Sequence, residues 1–498
     1  MLDFITLTDG YKVDHRRQYP EGTQYVYSNF TARSTRVGGA DSVIFFGLQY
    51  FLMAYLQELA TRTFFQQPKA RVLDSYRRFL DSYLGENDIG VEHIGALHDL
   101  EYIPLQFWAL PEGTSVPFRM PMFTFQNTHP EFFWVTNYIE TLLSSVLWLP
   151  CTSASTARRY RKLLTTYAKL SGADPAFVNW QGHDFSFRGM ASPEAAALSG
   201  AGHLLSFTGT DSIPSIHLLA DHYQGEGLIG GSVPATEHSV MCAGGQEDEI
   251  QTFRRLLKLY PRGILSVVSD TWDLWHVIGH LLPQLKAEVI GRAGKLVIRP
   301  DSGDPVLILT GDASQQPGTL PHKGVVEALW DLFGGETNAQ GYRTLAPCIG
   351  AIYGDSINEE RAQRICQRLM EKGFASTNVV FGIGSFTYQY VTRDTNGFAV
   401  KATWAQVSGK ERMLHKNPVT DSGEKKSARG RIAIRATEGG LQMVDGLTLA
   451  QQNDLESENL LKLVWKDGKF VRRSTLAEIR ARVQRVGPPP ASLATYGN

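Results

Sequence analysis

Four cysteines are all that the 498-residue chain carries, and Cys151, Cys242, Cys348 and Cys366 lie far apart with no CxxC pair. That spacing argues against a zinc knuckle and a CxxC redox motif. It leaves buried, reduced thiols of a cytosolic protein as the expectation. An excess of charge of one sign is also missing, since the formal net charge is −1. No global field is therefore available to hold nucleic acid or an anionic membrane, and neither is expected as a partner. Any bound anion must be caught by a local cluster of Arg and Lys. No apolar run is long enough to span a bilayer. The opening MLDFITLTDG has an early acid and no basic run, unlike a signal peptide, so a cytoplasmic place is expected. The P-loop, the Rossmann fingerprint and the HxH and HExxH pairs are absent, which leaves a zinc hydrolase a weak alternative. There is no fixed-period repeat and no low-complexity segment.

What is present is enough apolar and aromatic residue for a packed core, in a length that suggests two or three domains. Three stretches are expected: 1–145, 146–390 and 391–498. The first mixes element types. Gln24–Phe30 (QYVYSNF) alternates as a strand does, Leu48–Ala60 reads as a helix, and Pro104–Phe107 and Phe118–Phe125 read as short strands. Pro130–Leu147 has helical spacing. The last stretch is mixed again, with a polar, basic, turn-rich segment at His415–Arg431 and an expected loose tail from Pro488.

Between about 178 and 390 the chain becomes rhythmic. Apolar runs at Leu204–Phe207, Gly231–Pro234, Ile264–Val268, Lys295–Ile298, Cys348–Ile352 and Val379–Phe381 each end in a polar or Gly-rich turn. A helical pattern comes after most of them. Ser192-Pro193-Glu194 has the residues of a helix start: a capping hydroxyl, a proline for the first turn and an acid for the positive end. Repeated β–turn–α is the pattern of a parallel sheet. In an α/β barrel the loops after the strands converge on one mouth, which would gather Asp211, His238, Asp270, Asp301 and Asp355. Any one of these acids is equally well read as the cap of its following helix. Five consecutive units make capping alone a poor account.

Arg188, Arg299 and Arg393 each sit beside a turn, where a guanidinium fork can grip phosphate oxygens at two points. Each is otherwise an ordinary surface ion pair. Gly354, Gly382 and Gly384 allow backbone N–H groups close to an anion. His238 can be a general base, a metal ligand, a nucleophile or a core histidine, and local spacing does not select among these. Asp270 and Asp301 suit Mg²⁺, which commonly uses one or two carboxylates together with substrate phosphates. Tyr11, Tyr19, Phe185 and Phe187 are core aromatics or a stacking surface for a flat ligand.

Eight segments occur in a telling order: Thr8–Pro20 (TDGYKVDHRRQYP), Gly182–Gly189 (GHDFSFRG), Gly209–Asp211 (GTD), Ser232–Ser239 (SVPATEHS), Ser266–Asp270 (SVVSD), Ile298–Gly303 (IRPDSG), Gly354-Asp355 and Thr392–Asp394 (TRD). Together, across about residues 5 to 480, they resemble the nicotinamide phosphoribosyltransferase family. The resemblance implies an incomplete or distorted α/β barrel domain plus a mixed α+β domain formed by both chain ends. It implies a homodimer with interfacial active sites, the substrates nicotinamide and phosphoribosyl pyrophosphate, and stimulation by ATP with Mg²⁺. His238 matches the histidine that ATP phosphorylates, and His238, Asp270 and Asp301 are the expected catalytic residues. Asp211 matches the carboxylate that accepts from the nicotinamide amide. Phe185, and Tyr11 of the partner subunit, match the two rings of a stacking clamp. Arg188, Arg299, Pro300, Asp301, Gly354, Asp355, Gly384, Ser385 and Arg393 match the phosphate and ribose site. Arg33, Lys401 and Lys416 match polyphosphate ligands, with Lys425 or Lys426 in a similar role. One position departs: the family's glycine run after Phe381-Gly382 reads Ile383-Gly384-Ser385 here, which bears on phosphate affinity. A nicotinate phosphoribosyltransferase and a catalytically idle relative that acts as a binding protein are the competing expectations, and Asp211 and His238 separate them.

Overall fold

The computed structural model describes residues 3–415 and 428–485. Two compact units result: Met1–Ser155 with Leu218–Gly225 and Thr392–Asn498, and Thr156–His217 with Glu226–Val391.

In the first unit both ends of the chain share one seven-stranded antiparallel sheet. Its order is Lys410–Met413, Phe398–Val407, Thr23–Ala32, Pro121–Asn127, Leu105–Ala109, Lys462–Lys466 and Lys469–Phe470. The strand foreseen at Gln24–Phe30 is the hub, pairing with 398–407 on one side and 121–127 on the other. Its alternation explains the packing: Phe30 points into the core and stacks on Phe123 and on Phe398, each at 5.3 Å. The helix foreseen at Leu48–Ala60 forms, with π-type turns over Leu52–Leu59. The helical spacing seen as far as Leu147 stops short of the helix that forms, which runs Glu140–Leu170 through Pro150. Proline removes one backbone bond. The buried face of Leu143, Leu147, Ala154, Ala157, Tyr160 and Leu164 holds the helix across it.

The second unit is built on six parallel strands in the order Gly209–Thr210, Gly182–Asp184, Val379–Ile383, Ile349–Tyr353, Ala293–Arg299 and Arg262–Val268. Its two edges are joined by one irregular stretch. The Thr210 N–H donates to Gly231 O at 3.0 Å, and the Gly231 N–H donates to Thr208 O at 2.8 Å. On the other edge the Ser266 N–H donates to Pro234 O at 2.9 Å, and the Thr236 N–H donates to Ser266 O at 3.0 Å. Two glycines and a proline that cannot donate keep 230–234 from becoming a regular strand. The curled sheet is the expected distorted α/β barrel.

Two further expectations do not hold. Leu204–Phe207 is not a strand: helix Pro193–His203 runs into it, the Leu204 N–H still bonds Gly200 O at 2.9 Å, and the strand is only Gly209–Thr210. The thiols are not all buried. Cys151 and Cys366 are, and burial pushes the Cys151 thiol up to about 12, whereas Cys242 is exposed and Cys348 half-buried. The cap at Ser192 forms as expected, its hydroxyl accepting from the Ala195 N–H at 3.1 Å. Among the described residues no helix is long and apolar enough to cross a membrane.

Candidate active site

Asp270, Asp301 and Asp355 do not cap the helices beyond them. Asp273 caps Leu274–His276, Asp304 caps Pro305–Thr310 and Asn358 caps Glu359–Glu371. Each cap lies three residues beyond Asp270, Asp301 or Asp355. The earlier acid is thereby left for the mouth of the barrel.

The barrel's turns bring His238, Asp270, Asp301 and Arg299 together. His238 opens helix His238–Gly244, is half-exposed, and lies with Nδ1 3.3 Å from Thr271 Oγ1. Its Nε2 is 3.8 Å from Asp301 Oδ2 and 4.0 Å from Asp270 Oδ1. Asp270 is the anchor of the 301–302 turn. Its Oδ2 accepts from the Asp301 N–H at 2.8 Å, the Ser302 N–H at 2.7 Å and the Ser302 hydroxyl at 2.6 Å. Arg299 donates through Nη2 to Thr236 O at 2.5 Å and places Nε 3.7 Å from Asp301 Oδ1. Burial raises the Asp301 acid above its ordinary value, with Asp270 and Asp355 pushing the same way and Arg299 and His238 opposing. Gly354 stands against the Asp301 carboxylate, and Asp355 beside it is exposed. Pro300 is buried at the end of its strand.

A second cluster forms around Asp211. Its Oδ1 takes two donors, His183 Nε2 at 2.9 Å and Ser232 Oγ at 2.5 Å. Burial alone would raise this acid, but those bonds and the Arg299 charge prevail and hold it below its ordinary value. Arg299 thus acts electrostatically on both Asp211 and Asp301. The Phe185 ring lies 4.6 Å from the His183 ring, in space that Gly382 leaves open, since a Cβ there would fall 2.6 Å from Phe185 Cδ2. Arg188 is exposed on the turn Phe187–Gly189, and the Ser385 hydroxyl lies against Gly189. Gly384 precedes helix Ser385–Tyr388, and a Cβ there would meet nothing within 4 Å.

The remaining expected residues belong to the first unit. Tyr11 is exposed, its ring 5.2 Å from His15. Arg33 donates through Nε to Gly397 O at 3.1 Å, Arg393 pairs with Asp394 at 3.2 Å, and Lys401 is exposed on its strand. Lys416, Lys425 and Lys426 lie outside the described residues. His183 and Ser232 fall within two of the eight segments, Gly182–Gly189 and Ser232–Ser239, yet residue type and spacing assign neither a role. The signal at His183 is a histidine two residues before an aromatic at a strand end, which is too common to select by itself.

Asp270 and Asp301 are the residues that could hold a divalent cation. Asp270 Oδ1 and Asp301 Oδ1 are buried carboxylate oxygens without a hydrogen-bond partner among the described residues. Two hard oxygens suit Mg²⁺ that completes its shell with water and phosphate. Among the described residues no set of three or more His, Cys, Asp or Glu is arranged to hold a metal by itself. A cavity of about 150 Å³ lies between the barrel strands, with His183, Ser232, Ser266 and Lys295 among its walls.

In fold the chain matches the nicotinic acid phosphoribosyltransferase of human at a TM-score of 0.55 and 17% identity, over 96% of this chain and 93% of that one. It matches the nicotinate-nucleotide pyrophosphorylase of Pyrococcus furiosus at 0.56 and 15%, over the same shares. The fold is therefore that of the barrel-containing phosphoribosyltransferases. Residues 180–469 match the model of the nicotinate phosphoribosyltransferase (NAPRTase) family, and residues 3–84 match that of the nicotinamide phosphoribosyltransferase N-terminal domain. The nicotinamide phosphoribosyltransferase of Acinetobacter baylyi is 51% identical over 491 residues, covering 96% of each chain. That of Xanthomonas campestris is 35% identical over 488, covering 96% of this chain and 98% of the relative. The chain belongs to the nicotinamide phosphoribosyltransferase family.

Proposed function

We propose that the chain transfers the 5-phosphoribosyl group of phosphoribosyl pyrophosphate to nicotinamide, giving nicotinamide mononucleotide and pyrophosphate in NAD salvage in the cytoplasm. The observation that carries the choice of base is Asp211. Its acid is held below the ordinary range, and both donors sit on one oxygen. The side chain is half-exposed, which leaves its second oxygen to a ligand. An ionised carboxylate accepts from the –NH₂ of nicotinamide and repels the carboxylate of nicotinic acid. The family model over 180–469 favours nicotinate as the second reading, and Asp211 argues against it.

In the reaction the pyridine nitrogen bonds to C1 of the ribose as the C1–O bond to pyrophosphate breaks, through a cation-like sugar. Phe185, with Tyr11 of the partner subunit, stacks the base in a homodimer whose sites are interfacial. Asp301, Gly354 and Asp355 hold the ribose phosphate. Arg188, Arg299, Gly384, Ser385 and Arg393 hold phosphate oxygens, with Pro300 shaping the substrate site beside them, and Arg33, Lys401 and Lys416 hold the polyphosphate of ATP. Asp270 and Asp301 would hold Mg²⁺, which would supply charge neutralisation for the leaving pyrophosphate. His238 takes the γ-phosphoryl of ATP: an N–P bond forms as the bond to ADP breaks. With Mg²⁺ held there, the added negative charge would strengthen the hold on phosphoribosyl pyrophosphate until the phosphohistidine is hydrolysed.

The test is mononucleotide and pyrophosphate formation by purified protein with nicotinamide, phosphoribosyl pyrophosphate and Mg²⁺, with and without ATP. Equal amounts of both products, formed faster with ATP, are expected. No product in either arm contradicts the reading.

A further inference from the structure

We propose that His183 is a positioning residue that sets the preference for an amide over an acid, an inference that rests on the reaction proposed above. Two contacts made by one ring carry it. Nε2 lies 2.9 Å from Asp211 Oδ1, and the ring centroid lies 4.6 Å from that of Phe185, tilted by 44°. The same side chain therefore holds the carboxylate and supports the ring on either side of the pyridine seat.

The proton is assigned by its partner. Asp211 is an acceptor when ionised, so the facing Nε2 must carry hydrogen. His183 cannot swing aside easily. It sits mid-strand in Gly182–Asp184, paired with Gly382 on one side and Gly209 on the other, and its side chain is 11% exposed. Ser232, the second donor to Oδ1, lies on the irregular stretch that joins the sheet's edges, a less rigid support. With both donors in place the carboxylate plane is fixed. Oδ2 is then presented to the amide as a single acceptor at a set angle. Without the imidazole N–H only the serine remains, and the carboxylate can turn about its Cβ–Cγ bond. Turning weakens a directional bond to –NH₂. It changes little for nicotinic acid, whose carboxylate is repelled at any angle. Loss of His183 therefore acts on nicotinamide binding rather than on chemistry at C1 of the ribose.

The experiment measures kcat and KM for nicotinamide and for nicotinic acid in wild type, His183→Leu, His183→Asn and His183→Gln. The Gln amide nitrogen reaches close to the place of Nε2, whereas that of Asn falls short. His183→Leu and His183→Asn are expected to raise the nicotinamide KM roughly tenfold, as loss of a hydrogen bond to a charged group does, with kcat within about twofold. The preference for nicotinamide falls by the same factor, and His183→Gln restores most of it. Should His183→Leu not fold, His183→Asn against His183→Gln makes the same comparison. An unchanged preference in both non-donor variants overturns the proposal, as does a Gln variant no better than Asn, or equal loss for both bases. Wild type inert toward nicotinamide overturns the reaction itself and this proposal with it, whereas active wild type with unaffected variants overturns this proposal alone.

Discussion

Gly354 exists to make room for Asp301: a Cβ at 354 would lie 2.1 Å from Asp301 Oδ1. The obstructed atom is the end of a side chain, not backbone, so the collision is relieved by turning the carboxylate. Gly354→Ala is therefore expected to cost little stability, about 1 kcal/mol or less, while moving a group proposed to hold the ribose phosphate. The KM for phosphoribosyl pyrophosphate should rise by at least about tenfold with the melting temperature nearly unchanged. Steady-state kinetics beside a thermal melt separates the two effects. A large fall in melting temperature with normal KM would count against this assignment.

Asp301 itself is held at a cost. Its acid is raised above the ordinary carboxylate value, by burial first and then by Asp270 and Asp355. A carboxyl raised in the fold lends relative stability below its unfolded value, and that contribution is lost as pH rises through the folded value. At neutral pH the ionised group therefore destabilises the protein. Asp301→Asn is expected to melt no lower than wild type near neutral pH, and higher if the amide finds partners. The difference should shrink as pH falls toward the ordinary carboxylate value, where the buried acid is already protonated. Transfer activity should nonetheless be lost, the pattern of a site kept for function at the expense of stability. Melts across that pH range check the sign.

His238→Ala tests the coupling to ATP. The imidazole is half-exposed and makes a hydrogen-bond contact to Thr271 Oγ1, so its removal should leave the fold intact. Stimulation by ATP is expected to vanish while the ATP-free rate stays within about threefold of wild type. Undiminished stimulation in this variant would show that the phosphoryl group goes elsewhere.

Asp211→Asn replaces an acceptor that repels acids by a neutral amide that can donate to one. The preference for nicotinamide over nicotinic acid should fall by at least about tenfold, roughly 1.4 kcal/mol of discrimination. Ser232→Ala, which leaves His183 on the same oxygen, should give a smaller change in the same direction.

Much of the fold is legible in the chain. The alternation of Gln24–Phe30 marks a strand, and the run of β–turn–α units with acids closing them marks a parallel, barrel-like sheet; the domain made from both ends is implied only by the resemblance to the family. What the residues cannot decide locally is whether Asp270, Asp301 and Asp355 are caps or site acids. The answer lies three residues further on, at Asp273, Asp304 and Asn358, where the true caps stand. Leu204–Phe207 misleads because a buried helix end and a buried strand have the same composition over four residues. His183 gains no role from its spacing, because its meaning depends on Asp211 and Phe185 meeting it in the folded sheet. Pro150 hides the second half of a long helix, since local propensity cannot see the packing that carries it.

The central claim is the choice of base, and a direct competition tests it. Nicotinamide and nicotinic acid are supplied together at equal concentration, with phosphoribosyl pyrophosphate, Mg²⁺ and ATP, and the two mononucleotides are separated and counted. Nicotinamide mononucleotide as nearly the sole product is the predicted result. Nicotinic acid mononucleotide in equal or greater amount would contradict the account.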